Sequence, residues 1–110
     1  MTPSSSPSLL QTIQQYLHTV ELSRSENTAR TYSNAMQSFC DCLEKAGLSP
    51  EETPAEQLSE DFITRFTADL KRYAANTEQL YLTAVTGFYE YLAAENLSEV
   101  NLPRLRMLIK

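Results

Sequence analysis

At 110 residues, 42% hydrophobic and 21% charged, the chain is one globular domain by length and can bury a single core without staples. Its net charge of −5 excludes a strongly basic nucleic-acid binder, and no apolar run reaches membrane length. Two glycines in the whole chain leave little room for hairpins and favour helices joined by short connections.

Residues 1–7 are rich in Ser and Pro and are expected to be a disordered tail. They carry neither the basic start nor the apolar stretch of a secretion signal. Ser8 then caps a first helix near 8–22, with Gln11 three residues on as a capping box. Leu9, Ile13, Leu17 and Val20 form its buried stripe, with Tyr16 at the flank. His18, the one histidine, has no cysteine or acid at ligand spacing and reads as a surface residue.

A longer helix follows near 26–46, with an N-cap from Ser23 with Glu26 or from Ser25 alone. Ala29, Tyr32, Met36, Phe39 and Leu43 recur at steps of three and four and make one apolar stripe. Asn27, Arg30 and Asn34 fall opposite it. Gly47 stands where a left-handed residue ends a helix. Cys40 and Cys42, two apart on this helix, point in divergent directions and cannot pair. Idle thiols in a reducing cytoplasm are the reading they support.

The connector holds two start signals, Ser49-Pro50-Glu51-Glu52 and Thr53-Pro54-Ala55-Glu56. The second is expected to be one short turn, with Leu58 tucked into the core. Ser59 is expected to cap a third helix near 59–72 that buries Phe62, Ile63, Phe66 and Leu70. Asn76, with Gln79 behind it, is expected to cap a fourth near 77–95. Tyr81, Ala84, Val85, Phe88, Tyr91 and Leu92 form its stripe, and Asn96 suits a helix-ending position. Residues 97–110 read as an exit tail. The fold class is therefore all-α, a compact four-helix bundle whose core includes Tyr32, Phe39, Phe66, Leu70, Phe88 and Leu92.

No Gly-rich phosphate loop, metal-binding histidine pair or Ser/His/Asp set is present. Glu90 and Glu95, five apart on a solvated face, are no acid/base pair. No catalytic residue, metal or cofactor is expected of these residues.

The pattern Thr28-x-x-x-Tyr32-x-x-x-Met36-x-x-Phe39-x-x-x-Leu43 resembles the second helix of the N-terminal core-binding domain of tyrosine recombinases, the phage-integrase family with a SAM-like helical fold. Leu58-Ser59…Phe62…Phe66…Leu70 is similar to that domain's third helix. Asn76-Thr77…Leu82-Thr83-Ala84-Val85…Phe88-Tyr89-x-Tyr91-Leu92 is similar to its fourth. Asn101-Leu102-Pro103 stands about where the family has Asn-Pro before its catalytic domain. The resemblance implies a core-binding domain over 8–102, with 103–110 starting a linker to a catalytic domain outside this chain. The strand-cleaving tyrosine and its arginine and histidine helpers belong to that second domain. The implied partners are duplex DNA at a recombination site, the catalytic domain of the same polypeptide and other recombinase protomers, all in the cytoplasm.

Candidate DNA contacts follow. Arg24, Asn27, Thr28, Arg30, Thr31 and Asn34 offer donors at the start of the second helix, suited to phosphates. Lys71 and Arg72 add charge before the fourth helix. Asn76, Thr77, Gln79, Thr83 and Thr86 supply its uncharged polar side, where Asn and Gln could read adenine edges. The same stripe also fits a plain wetted surface. The family often has basic residues at the positions of Ser33, Leu80, Tyr81 and Thr86; their absence here implies low affinity for DNA. A second reading, from composition, is an acidic protein-interaction module docking through Leu82 and Tyr89 on the fourth helix.

Overall fold

The computed structural model describes residues 7–109. Five helices cover most of them: α1 (Leu9–Ser23), α2 (Glu26–Lys45), α3 (Phe62–Asp69), α4 (Ala75–Ala94) and α5 (Leu102–Leu108). No strand forms among these residues; one isolated bridge joins Ser8 to Pro54. The expected disorder of 1–7 falls outside the described residues except at Pro7, whose carbonyl accepts from the Ala55 amide at 2.9 Å.

The termini follow local chemistry where a suitable side chain stands at the end. Ser8 and Gln11 exchange hydrogen bonds and open α1 as a capping box. The amides of Leu9 and Leu10, orphaned at the helix start, donate to Thr53 and Pro50 in the connector. Ser25 caps α2 by accepting from the Thr28 amide, while Ser23 closes α1 and donates back to the Thr19 carbonyl. At the end of α2, Gly47 has φ +86°. There Leu48 donates to Leu43 and Gly47 to Glu44, the paired bonds of a Schellman motif. Asn96, with φ +56°, repeats the device after α4 through Leu97 to Leu92 and Asn96 to Ala93. Ala55–Gln57 is the expected short turn, and Leu58 is buried.

Three starts differ from expectation. Ser59 does not cap α3, which begins at Phe62 after Asp61, with no side-chain cap. Residues 59–61 instead form a turn whose carbonyls take the amides of Phe62, Ile63 and Thr64. Nor does Asn76 cap α4; it lies inside the helix, and Ala74 holds the cap position without a side-chain bond. Tertiary contacts anchor the residue just before that start: the Tyr73 hydroxyl bonds Ser38 at 3.1 Å and its ring meets Tyr81 edge-on. Lastly, the exit tail contains a fifth helix. Asn101 caps α5 by accepting from the Arg104 amide, with Pro103 in the first turn where no amide partner is needed. Leu105, 1% exposed, fastens it to the core.

Phe39 sits at the centre, its ring 5.3–6.3 Å from those of Phe62, Phe66, Phe88 and Tyr89. Phe66, Leu70, Phe88 and Leu92 are fully buried, while Tyr32 packs half-buried at the edge. Tyr89, expected to be an exposed docking side chain, is 0% exposed. Its hydroxyl donates to the Ser59 carbonyl at 2.9 Å. The turn at 59–61 covers that side of α4, so the buried arc is wider than one stripe.

Tyr16 is no flank residue either. It is buried, packs on Phe88 and Tyr91, and donates to the Ala84 carbonyl at 2.8 Å. Gly87 makes room for it: a Cβ there would lie 2.5 Å from the Tyr16 hydroxyl oxygen. Gly87→Ala gains about 1 kcal/mol of helix propensity but displaces a packed hydroxyl from its hydrogen bond. A net loss of about 1 kcal/mol is expected in urea unfolding. In a Tyr16→Phe background the clash is gone, and Gly87→Ala should become neutral or stabilising.

Candidate functional site

The end of α1, the start of α2 and the outer side of α4 enclose a cleft of about 510 Å³. Arg24, in the two-residue link between α1 and α2, stands on its wall with the guanidinium 5.8 Å from the centre of the Tyr32 ring. α4 supplies Gln79, Thr83 and Thr86, and the far end is closed by Glu90 and by Ile109 just after α5. These α4 residues share a wall because steps of four and three keep them on one side of a helix.

A second groove of about 500 Å³ runs along α2, lined by Arg24, Arg30, Ser33 and Asn34 together with Glu21 and Glu26. Arg24 borders both. Local charge in this groove is mixed, with two arginines against two carboxylates.

The remaining candidates divide. Asn27 is exposed. Thr28 is tied to the Ser25 cap, and the Thr31 hydroxyl donates to the Asn27 carbonyl. Thr83 likewise donates to the Gln79 carbonyl, leaving its oxygen lone pairs outward. Thr86 does not present its hydroxyl: the oxygen is shut from solvent and has no partner. Such a group costs about 1–3 kcal/mol. Lys71, Arg72, Asn76 and Thr77 line neither groove. Lys71 pairs with Glu78 at 2.8 Å. Arg72 reaches Asp69 at 3.6 Å and donates to the Tyr73 hydroxyl at 2.9 Å, its guanidinium 4.9 Å from that ring.

Ion pairing sorts the cations. Lys45, Lys71, Arg72, Arg104 and Arg106 each face a carboxylate within 4 Å. Among the described residues Arg24, Arg30 and Arg65 form no ion pair. Arg65 lies in a separate groove beside Leu48 and Phe62. Arg104 is held by Glu60 and Asp61 at 3.1 and 2.6 Å. Glu60's own backbone amide, then the Asn101 amide and Arg104, hold its carboxyl below the ordinary range against the opposing cost of burial.

The described residues contain no group of three or more His, Cys, Asp or Glu placed to hold a metal. Burial, reinforced by Asp41 and Glu44, pushes the Cys40 thiol up to about 11, and burial raises Cys42 as well. Neither is an activated nucleophile.

The family model for the phage integrase N-terminal SAM-like domain matches residues 13–96. The chain belongs to this family. No curated protein and no solved structure matches it. The integrase-type domain supports a place for the chain among the tyrosine recombinases. Its matched span ends at Asn96, the residue that turns the chain out of α4, so α5 and the Ile109 wall of the cleft lie beyond it. No helix among the described residues is long and apolar enough to cross a membrane.

Sequence reasoning found Arg24, Gln79 and Thr83 but not the walls that join them, Tyr32 and Ile109. The spacing of Tyr32 marks it for the core alone, and Ile109 falls in a stretch that reads as a tail.

Proposed function

We propose that this domain is the DNA-binding, core-binding arm of a tyrosine-type recombinase, clamping duplex DNA for strand exchange by a catalytic domain and neighbouring protomers. The observation that carries the reading is the position of the unpaired cations. Arg24 and Arg30 stand together at the start of α2, and Arg24 shares a cleft with the uncharged donors Gln79 and Thr83. Cations already paired to carboxylates must give up a partner before meeting a phosphate; these two need not. Gln79 and Thr83 could then approach base edges without repelling the backbone.

The charge balance makes the interaction weak. Two phosphate contacts give a slope of log K against log salt of about −2. The net charge of −5 adds repulsion, which salt screens beyond a Debye length. Binding is therefore expected near 20 mM salt and is lost towards physiological salt, about 150 mM. Arg30→Ala should weaken binding to every sequence alike and flatten the slope by about one. Gln79→Ala should leave the slope unchanged and act on sequence preference, because an amide releases no counterion. Titration of duplex DNA at several salt concentrations measures all three. Binding indifferent to Arg30 would contradict the proposal.

The interaction-module reading has lost one of its two anchors. Tyr89 is buried within the domain, and Leu82 is half-buried in the cleft.

A further inference from the structure

The end of α5 lies against the cleft assigned above to DNA. Ile109, half-buried, lines the same cleft as Gln79, Thr83 and Thr86. One turn earlier Arg106 reaches Glu90, the next polar position along α4, at 3.8 Å. A duplex approaching the Glu90 end of the α4 polar side would meet these two residues first.

One observation marks this closed arrangement as easily opened. The Arg106–Glu90 pair is long, and its side chains are 62% and 50% exposed, so solvent screens it. Leu105 and the Arg104 contacts with Glu60 and Asp61 hold the earlier part of α5 independently. The residues after Leu105 can therefore leave the cleft while the helix stays anchored, giving up the partly buried contacts of Leu108 and Ile109.

We propose that the last turn of α5 is a latch on the DNA-facing cleft, closed in the free chain and displaced when duplex enters. The proposal rests on the DNA reading of the cleft. Linkage then requires reciprocity: duplex loosens the latch by the same factor by which a loosened latch tightens duplex binding.

The test is Ile109→Ser in the 110-residue chain, which removes the apolar contact without altering any charge. Two quantities are measured: duplex affinity at about 20 mM salt, and hydrogen exchange of the amide at position 109, which donates to the Leu105 carbonyl, with the Leu105 and α2 amides as controls for anchoring and folding. The expected result is faster exchange at the end of α5, unchanged exchange in α2, and duplex binding about fivefold tighter or more with the same salt slope. Equal affinity of the two proteins despite faster exchange would overturn the latch and leave the DNA reading standing. Exchange unchanged by the substitution would overturn it too, since Ile109 would then hold nothing. Absence of duplex binding by both proteins would sink the DNA reading, and the latch with it.

Discussion

Replacing Phe88 with alanine is expected to bring the domain close to unfolding. The side chain is fully buried, with its ring 5.5 Å from Tyr16 on α1 and 6.2 Å from Phe39 on α2. Because three helices meet at this ring, no single one can move in to fill the space without breaking contacts with the other two. The cost is about 3–5 kcal/mol, transfer and cavity terms together. A domain of this size has about 5–15 kcal/mol in total, so the loss is a large share of it. A melting curve should move down by on the order of 10–20 °C. An unmoved curve would show that Phe88 does not close the core.

Leu105→Ala is expected to have the next largest effect, and it tests whether α5 belongs to the fold. Several ties hold this short helix, and their magnitudes differ. The pairs from Arg104 to Glu60 and Asp61 involve a side chain 44% exposed, and pairs of that kind contribute about 0–1 kcal/mol. Burying Leu105 contributes more: truncation costs about 2–5 kcal/mol where the structure cannot relax. A helix this short can detach as a unit instead, which limits the global loss to its own docking energy. The expected outcome is a fall of about 2–3 kcal/mol in urea unfolding, with lost amide protection confined to α5. Full protection of α5 in the variant would mean that Leu105 is not its anchor.

What the sequence revealed of the fold was whatever a single helix decides. Leu9, Ile13 and Val20, then Met36, Phe39 and Leu43, then Val85, Phe88 and Leu92 are buried as their spacing requires. Ser8 with Gln11, Gly47 and Asn96 end their helices because their own side chains, or the lack of one, allow it. Features set by distant contacts were hidden. Tyr89 is buried by a turn thirty residues earlier in the chain, to which it hydrogen-bonds, and nothing on its own helix announces that cover. The start of α4 adjoins Tyr73, whose hydroxyl is held by Ser38, so Asn76 could look like a cap and yet not be one. The helix at 102–108 did leave a trace: Asn101 followed by Pro103 is a start signal, though it also fits an extended linker.

The site was legible as residue types rather than as a place. Arg24, Gln79 and Thr83 meet because the link between α1 and α2 folds against α4, a contact across more than fifty positions of chain. Lys71 and Arg72 looked available until Glu78 and Asp69 were seen to hold them. Thr86, expected on the polar side of α4, has its hydroxyl oxygen shut from solvent.

The measurement that bears most directly on the central claim is an NMR titration of the chain with mixed-sequence duplex DNA at about 20 mM salt, read residue by residue. The account predicts that shifts concentrate at Arg24, Arg30, Asn34, Gln79 and Thr83, with Arg65 and its groove beside Leu48 and Phe62 silent. Shifts centred on Arg65, with Arg24 and Gln79 unmoved, would contradict it.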